Sequence, residues 1–353
     1  MMSINRNLEL AIEKAAQILA TGELVAIPTE TVYGLAADAQ QDAAVAKIFV
    51  AKGRPANHPL IVHVLEASDA DYFASEIPDF AQKLMQAFWP GPLTVIVPRK
   101  NNRATAAAGG HDSVGLRSPS HPVARALLKQ CAELGVKGLA APSANLFGKV
   151  SPTHAQHVRA DFPANLYVLD GGECSVGIES TIVDCTRQAP VLLRPGMISS
   201  DQIEQITGLR LILNADLKVQ GKEAPKASGT LKSHYAPKAK LRLFSKKQLA
   251  DEIVKYADQK LLNLIGIYST LPNSKIESII YRLMPDDAAQ CAHDLFSILR
   301  DFDQYAVEEI WVENVPDLSE WAGVKDRLKR AAASAWRAEI MKSMSPPRSL
   351  SPA

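Results

Sequence analysis

The chain has 353 residues, 47% hydrophobic and 22% charged, with 39 Lys and Arg against 38 Asp and Glu. That length accommodates two ordinary domains, and a formal net charge of +1 excludes a global field that would draw the protein to nucleic acid or a membrane. No apolar run reaches the length of a membrane span, and the start Met1–Asn7 lacks the apolar core of a secretion signal. Cys131, Cys174, Cys185 and Cys291 form no C-x-x-C pair, so the expectation is a cytoplasmic protein with reduced thiols.

Leu8, Ile12, Ala15, Ala16 and Leu19 recur at helical spacing and predict an amphipathic helix over 8–20, ending before Gly22. Leu24–Ile27 reads as a buried strand. Pro28-Thr29-Glu30-Thr31-Val32-Tyr33-Gly34 then brings hydroxyls and a carboxylate to the strand's carboxyl end, where open α/β sheets bind ligands. A turn capped by Thr29 or Thr31 accounts for the same residues equally well. A helix over 42–50, a strand over 59–64 and a helix over 77–88 follow, the last closed by Trp89-Pro90-Gly91-Pro92. Strands are predicted at 93–97 and 113–117, a helix at 121–134 with Pro122 in its first turn, and short strands at 139–141 and 166–170. Residues 181–184 and 191–194 form a hairpin pair.

Residues 217–240, rich in Lys, Gly, Ala, Ser and Pro without apolar periodicity, read as a linker. A second α/β unit is predicted from strands at 241–244, 262–268 and 309–312 and helices at 286–302 and 321–335. The tail from Ser343, rich in Pro and Ser, is expected to be disordered. The fold class is therefore α/β with mixed strand direction. The expected division is 1–210, a linker over 211–240, a smaller domain over 241–340 and the tail 341–353.

Several blocks carry polar chemistry. Lys52 and Arg54 flank Gly53 and can reach one anion from the same turn, although a solvated K-G-R-P turn is the commoner meaning of such a sequence. Ser143 and Asn145 follow a short strand and suit phosphate, ribose or a turn; Ser143 lacks the G-x-S-x-G setting of a nucleophile. The Gly-rich run 171–181 can present backbone N–H groups to an anion, and Arg194 ends a strand with a cation. His234-Tyr235 is an aromatic pair inside a polar linker. His154 and His157 lack a third ligand and read as a helix surface, and His63 reads as a core histidine or a donor in a pocket. Neither a P-loop nor a G-x-G-x-x-G fingerprint is present.

Taken in order, PTETVYGL (28–35), KGRP (52–55) with NHPLIVHV (57–64), FWPGPLT (88–94), VGLRSPSHP (114–122), APSAN (141–145), SPT (151–153), ESTIVD (179–184), RPG (194–196) and HYAP (234–237) resemble the threonylcarbamoyl-AMP synthase family in its two-domain form. The resemblance implies a YrdC-like twisted mixed sheet followed by a smaller Rossmann-like domain. It implies synthesis of threonylcarbamoyl-adenylate from L-threonine, bicarbonate or CO₂, and ATP with Mg²⁺, releasing pyrophosphate. The product would pass to a transferase that modifies the adenosine beside the tRNA anticodon. By the same resemblance Thr31, His63, Arg117, Ala141 and Ser180 match L-threonine positions. Arg54, His58, Ser113, Ser143, Ser151, Arg194 and Tyr235 match positions around ATP. Lys52, Arg54, Ser143 and Asn145 match the K-x-R and S-x-N motif tied to catalysis, and no protein metal site is implied.

Three positions depart from the family pattern: His58 stands in place of Asn, Ser113 in place of Thr, and Ser228-Gly229-Thr230-Leu231 in place of a P-G-M linker. Local RNA binding by a basic face is the alternative reading. A related carbamoyl-transfer domain is disfavoured because its zinc-finger C-x-x-C pairs are absent.

Overall fold

The computed structural model describes residues 5–219, 225–229, 234–259, 263–273 and 275–343. The tail from 344, the linker residues Thr230 and Leu231, and Leu262 at the start of an expected strand lie outside the described residues. The chain opens with α1 (Arg6–Ala20), whose first turn is closed by the Asn5 side chain accepting from the Leu8 N–H at 3.0 Å. Its apolar stripe Ile12, Ala15, Ala16 and Leu19 is buried in one cluster with β1 (Val25–Ile27) and with Val123, Leu127 and Leu128.

Next come β2 (Gly34–Asp38), α2 (Asp42–Lys52), β3 (Ile61–His63), α3 (Asp79–Phe88), β4 (Leu93–Pro98), β5 (Ser113–Arg117) and α4 (Pro122–Glu133). They are followed by β6 (Leu139–Ala140), α5 (Ala155–Asp161), β7 (Tyr167–Val168), β8 (Thr181–Asp184), β9 (Val191–Arg194), α6 (Ser200–Thr207), β10 (Ile212–Leu213) and α7 (Asn214–Val219). The strands form one ten-stranded mixed sheet in the order β10-β9-β8-β4-β5-β3-β6-β2-β1-β7. Its centre alternates in direction: β3 runs parallel to β5 and antiparallel to β6, while β4 runs antiparallel to β5 and parallel to β8.

The second unit holds β11 (Lys240–Phe244), α8 (Lys246–Asp258), β12 (Ile265–Ser269), β13 (Ile279–Leu283), α9 (Ala288–Gln304), β14 (Glu309–Glu313) and α10 (Ala322–Ser343). Its four strands are all parallel, in the order β11-β14-β12-β13. Period-two alternation assigns the two faces. Ile265 and Ile267 of β12 bury with Leu249 and Tyr256 of α8, whereas Tyr268 buries with α9 and α10. The two units pack closely. A Cβ on Gly177 would lie 2.4 Å from the His293 Cα and carbonyl oxygen, so only glycine lets this loop touch α9. Arg300 of α9 pairs with Asp161 at 2.7 Å, and Thr153 meets Ser297 hydroxyl to hydroxyl at 2.9 Å.

Several elements differ from expectation. Residues 34–38, for which no element was predicted, form β2 between β1 and β6 and are buried throughout. α6, α8, β13 and the short β10 and α7 had no sequence prediction; α7 occupies the start of the expected linker. His157 is buried rather than on a helix surface, its Nδ1 accepting from the Thr153 N–H at 3.2 Å.

Candidate active site

A constellation of buried polar groups lies over one face of the central sheet near its strand ends, where His63, Arg117 and Arg194 are the last residues of β3, β5 and β9. Strand register produces it. His63 sits beside Arg117 and Ile61 beside Gly115 across β3 and β5. Val95 pairs with Leu116 across β4 and β5, which places Thr94 next to Arg117, and Thr94 pairs with Ile182 of β8. Ile182 in turn faces Arg194 of β9. Because side chains alternate along each strand, these positions share one face. Ala141, whose N–H donates to the Ile61 carbonyl at 3.0 Å, and Gly34 keep that face low beside His63. The cavity above it has a volume of about 510 Å³, its open mouth included.

One wall is the loop after β1. Thr29 Oγ1 donates to the Val32 carbonyl at 2.7 Å and lies 2.8 Å from Thr31 Oγ1, a hydroxyl turn that aims both side chains at the cavity. The loop is pinned from outside: Tyr33 N–H donates to the Pro152 carbonyl, Leu35 N–H to Pro142, and Tyr33 Oη to Gly172. Arg117 Nη1 donates to Thr31 Oγ1 at 2.8 Å and Nε to the Gly91 carbonyl at 3.2 Å. Arg117 Nη2 lies 2.7 Å from Glu30 Oε1, an ion pair by distance whose angle is too bent for a directed hydrogen bond. Burial raises the Glu30 carboxyl, but the Arg117 charge and hydrogen bonding outweigh it and hold Glu30 below the usual carboxylate value. Burial, with Arg117 next, lowers His63 to about 3, so this imidazole is neutral at physiological pH; its Nδ1 has no partner.

The opposite wall carries two buried guanidiniums without an ion-pair partner among the described residues. Gly53, left-handed at φ 63°, ends α2 and turns Arg54 inward. Arg54 Nη2 donates to the Pro59 carbonyl and to Ser228 Oγ, both at 3.0 Å. Arg194 Nη1 donates to the Ser228 carbonyl at 3.0 Å, and its Nη2 to the Ser180 carbonyl at 2.9 Å. Ser180 Oγ also meets Thr94 Oγ1 at 2.8 Å. Burial, then the nearby Arg194 charge, lowers Arg54 to about 10, and burial likewise lowers Arg194. Two desolvated cations sharing one serine create a strong preference for an anion between them.

The linker forms the roof. Gly229, at φ 74°, passes so close that a Cβ there would lie 2.4 Å from Tyr235 Oη and 2.8 Å from Arg194 Nη1. Tyr235 holds a left-handed backbone, φ 62°, and a fully buried ring stacked on Phe296 at 5.5 Å, with a hydroxyl that has no partner.

Of the residues singled out in the sequence, Thr31, Arg54, His63, Arg117, Ala141, Ser143, Ser180, Arg194 and Tyr235 line this cavity. Lys52, Asn145 and Ser151 are buried behind it. Lys52 Nζ donates to the Ser143 and Asn145 carbonyls, and the Asn145 amide donates to the Leu146 and Lys149 carbonyls, so the two residues brace the 143–149 loop. Burial, with Arg54 next, holds the Lys52 amine well below its ordinary pKa. Ser151 Oγ donates to Glu179 Oε1. His58 packs edge-on against Phe147 at 5.8 Å, and Ser113 lines a neighbouring groove with Ile61, Gly115 and Lys226. Sequence reasoning gave no site role to Glu179, Ser228, Gly229 or His234, all of which line the cavity. The composition of a linker marks its flexibility but not which residues it folds inward.

A family model described as telomere recombination matches residues 17–196, and that of the threonylcarbamoyl-AMP synthase C-terminal domain matches residues 198–333. The chain is 38% identical over 334 residues to the threonylcarbamoyl-AMP synthase of Pyrococcus abyssi, covering 92% of this chain and 94% of the relative. It is 39% identical over 328 residues to that of Bacillus subtilis, covering 91% and 92%. Its fold matches the crystal structure of Pyrococcus abyssi Sua5 complexed with L-threonine at a TM-score of 0.81 and 37% identity, over 93% of this chain and 95% of the other. With both units matched in order and most of the chain covered at this identity, the chain belongs to the threonylcarbamoyl-AMP synthase family in its two-domain form.

Proposed function

We infer that the protein makes L-threonylcarbamoyl-adenylate from L-threonine, bicarbonate or CO₂, and ATP, releasing pyrophosphate, as the first step of tRNA threonylcarbamoyladenosine formation. The observation that carries this reading is the division of one cavity into two binding chemistries. Arg117, Thr31 and neutral His63 offer a carboxylate and hydroxyl site, while Arg54 and Arg194 offer a polyphosphate site. The threonine complex of the Pyrococcus abyssi relative supports the first half.

In this reading Arg117 takes the threonine carboxylate, and Thr31 and His63 orient the side chain and amine. The amine, having given up its proton, attacks CO₂ or bicarbonate to form a carbamate, with water leaving in the bicarbonate case. A carbamate oxygen then attacks the α-phosphorus and pyrophosphate departs. No covalent link to the protein is needed, so catalysis consists of positioning and charge stabilisation. Arg54 and Arg194 neutralise phosphate charge, with Ser143 at the cavity wall and Ser151 acting through Glu179. Lys52 and Asn145 hold the 143–149 loop in shape, and His58 and Ser113 sit toward the nucleotide's approach.

Mg²⁺ suits the site as an ion carried on ATP. Among the described residues no group of three His, Cys, Asp or Glu could hold a metal, and the cavity carboxylate Glu179 is committed to Ser151 and Arg327. When bound, the ion would offset phosphate charge alongside Arg54 and Arg194. In this reading the linker carrying Ser228, Gly229 and Tyr235, which roofs the cavity, lifts to admit ATP and closes to exclude water from the labile adenylate. The product then passes to a tRNA-modifying transferase. Four buried free cysteines support a reducing, cytoplasmic setting. The deciding experiment is mass detection of threonylcarbamoyl-AMP from the purified protein with ATP, Mg²⁺, bicarbonate and L-threonine. Absence of that mass, with ATP intact, rejects the reading.

A further inference from the structure

Arg327 reaches from α10 of the second unit into the back of the cavity wall and is completely buried. Its Nε donates to Glu179 Oε2 at 2.8 Å, Nη2 to the Glu179 carbonyl at 3.1 Å, and Nη1 to the Pro195 carbonyl at 2.7 Å. Nη1 also lies 3.1 Å from Asp326 Oδ2. The other Glu179 oxygen accepts from Ser151 Oγ. The guanidinium carbon sits 5.3 Å from the centre of the Tyr235 ring. Glu179 immediately precedes Ser180, which holds Arg194, and Pro195 immediately follows Arg194.

The Glu179, Pro195 and Tyr235 contacts lead to the phosphate side of the cavity, the Asp326 and Gly323 contacts stay on α10, and Arg327 makes no hydrogen bond or ion pair with Thr31, His63 or Arg117. Docking alone does not call for such a residue. A fully buried ion pair adds little net stability compared with apolar packing of the same volume, and its desolvation is costly. What a guanidinium adds is a rigid planar fork that fixes several acceptors at once.

We propose that Arg327 is a positioning residue: through it the second unit sets the geometry of Glu179, Arg194 and Tyr235, so that affinity for ATP, and not for L-threonine, depends on the docking of α10. This rests on the function proposed above. Arg327→Lys keeps a cation against Glu179 but cannot hold Glu179 and the Pro195 carbonyl together.

The test is equilibrium binding of ATP and, separately, of L-threonine to the full-length wild-type and variant proteins, with thermal unfolding followed in parallel. The expected result is a folded variant whose ATP dissociation constant rises about tenfold, the loss of roughly one charge-assisted hydrogen bond, while that for threonine stays within about twofold. Gly323→Ala is the second variant. Its new Cβ would lie 2.8 Å from Ile178 Cδ1 and 2.9 Å from the Gly196 carbonyl, displacing α10 without changing any charge. It carries the same expectation if Arg327→Lys does not fold. Wild-type ATP affinity in a folded variant, or equal loss for both ligands, overturns the proposal. A wild-type protein that binds ATP yet forms no threonylcarbamoyl-AMP rejects the proposed function, while the ATP comparison still decides on Arg327. A wild-type protein that binds no ATP rejects both.

Discussion

Lys52 and Arg54 stand two residues apart and do different work. Lys52 Nζ satisfies two carbonyls of the 143–149 loop, so Lys52→Met leaves buried acceptors unpaired and costs about 1–3 kcal/mol of stability for each. Arg54→Ala removes a buried cation that repels Arg194, so it costs less stability while removing phosphate binding. Urea denaturation combined with threonine-dependent pyrophosphate release distinguishes them: both variants lose turnover, but only Lys52→Met loses much stability. Retention of turnover by Arg54→Ala contradicts its assigned role. Titration adds a second prediction. His63 has a folded pKa of about 3, below its unfolded value, so the unfolded chain binds a proton that the native state refuses as pH falls below the ordinary histidine range. Burial raises Glu179, but Arg327 and Arg194 lower it further, to about 2, which extends the loss below the ordinary carboxylate pKa. Stability falls as pH drops through both windows, by about 1.4 kcal/mol per pH unit for each such group. His63→Asn, measured by chemical denaturation between pH 7 and 4, shows a shallower decline than wild type.

At the scale of elements, amphipathic segments were legible because their burial is one-sided. The stripe of α1 follows directly from apolar spacing. β8, buried throughout, was legible instead as an apolar run paired with β9 across the Gln188-Ala189-Pro190 turn, whereas β2, equally buried, has only small residues beside Leu35 and no such run. Thr29 and Thr31 both face the cavity, through a hydroxyl turn and not through strand alternation. The linker shows the same limit. Residues with no apolar period gave no sign that Gly229 threads between Tyr235 Oη and Arg194. Gly229→Ala therefore blocks closure both by contact and by its positive φ. We expect a KM for ATP raised about tenfold or more and faster escape of the adenylate to hydrolysis; an unchanged KM and unchanged leakage count against the lid.

Across the whole molecule, the second unit braces from behind, through Arg327, a cavity lined by the first unit and the linker. Gly177→Ala tests the packing of the two units, since its Cβ would occupy the space of the α9 backbone. The expected outcome is destabilisation of more than about 2 kcal/mol in denaturant unfolding, with loss of ATP binding before loss of the first unit's fold. The sequence by itself determined the chemistry available: which residues are cationic, hydroxylic or small, in what order, and that the chain alternates strands and helices. It determined this because composition and apolar period are local properties. Only the tertiary structure decided that the pocket lies on a sheet face, because strand register joins Ile61, Thr94, Arg117, Ile182 and Arg194 across long separations. Only the tertiary structure, too, brought Arg327 to Glu179 across a sequence separation of 148, since a buried ion pair is specified by packing and leaves no periodic trace in the chain.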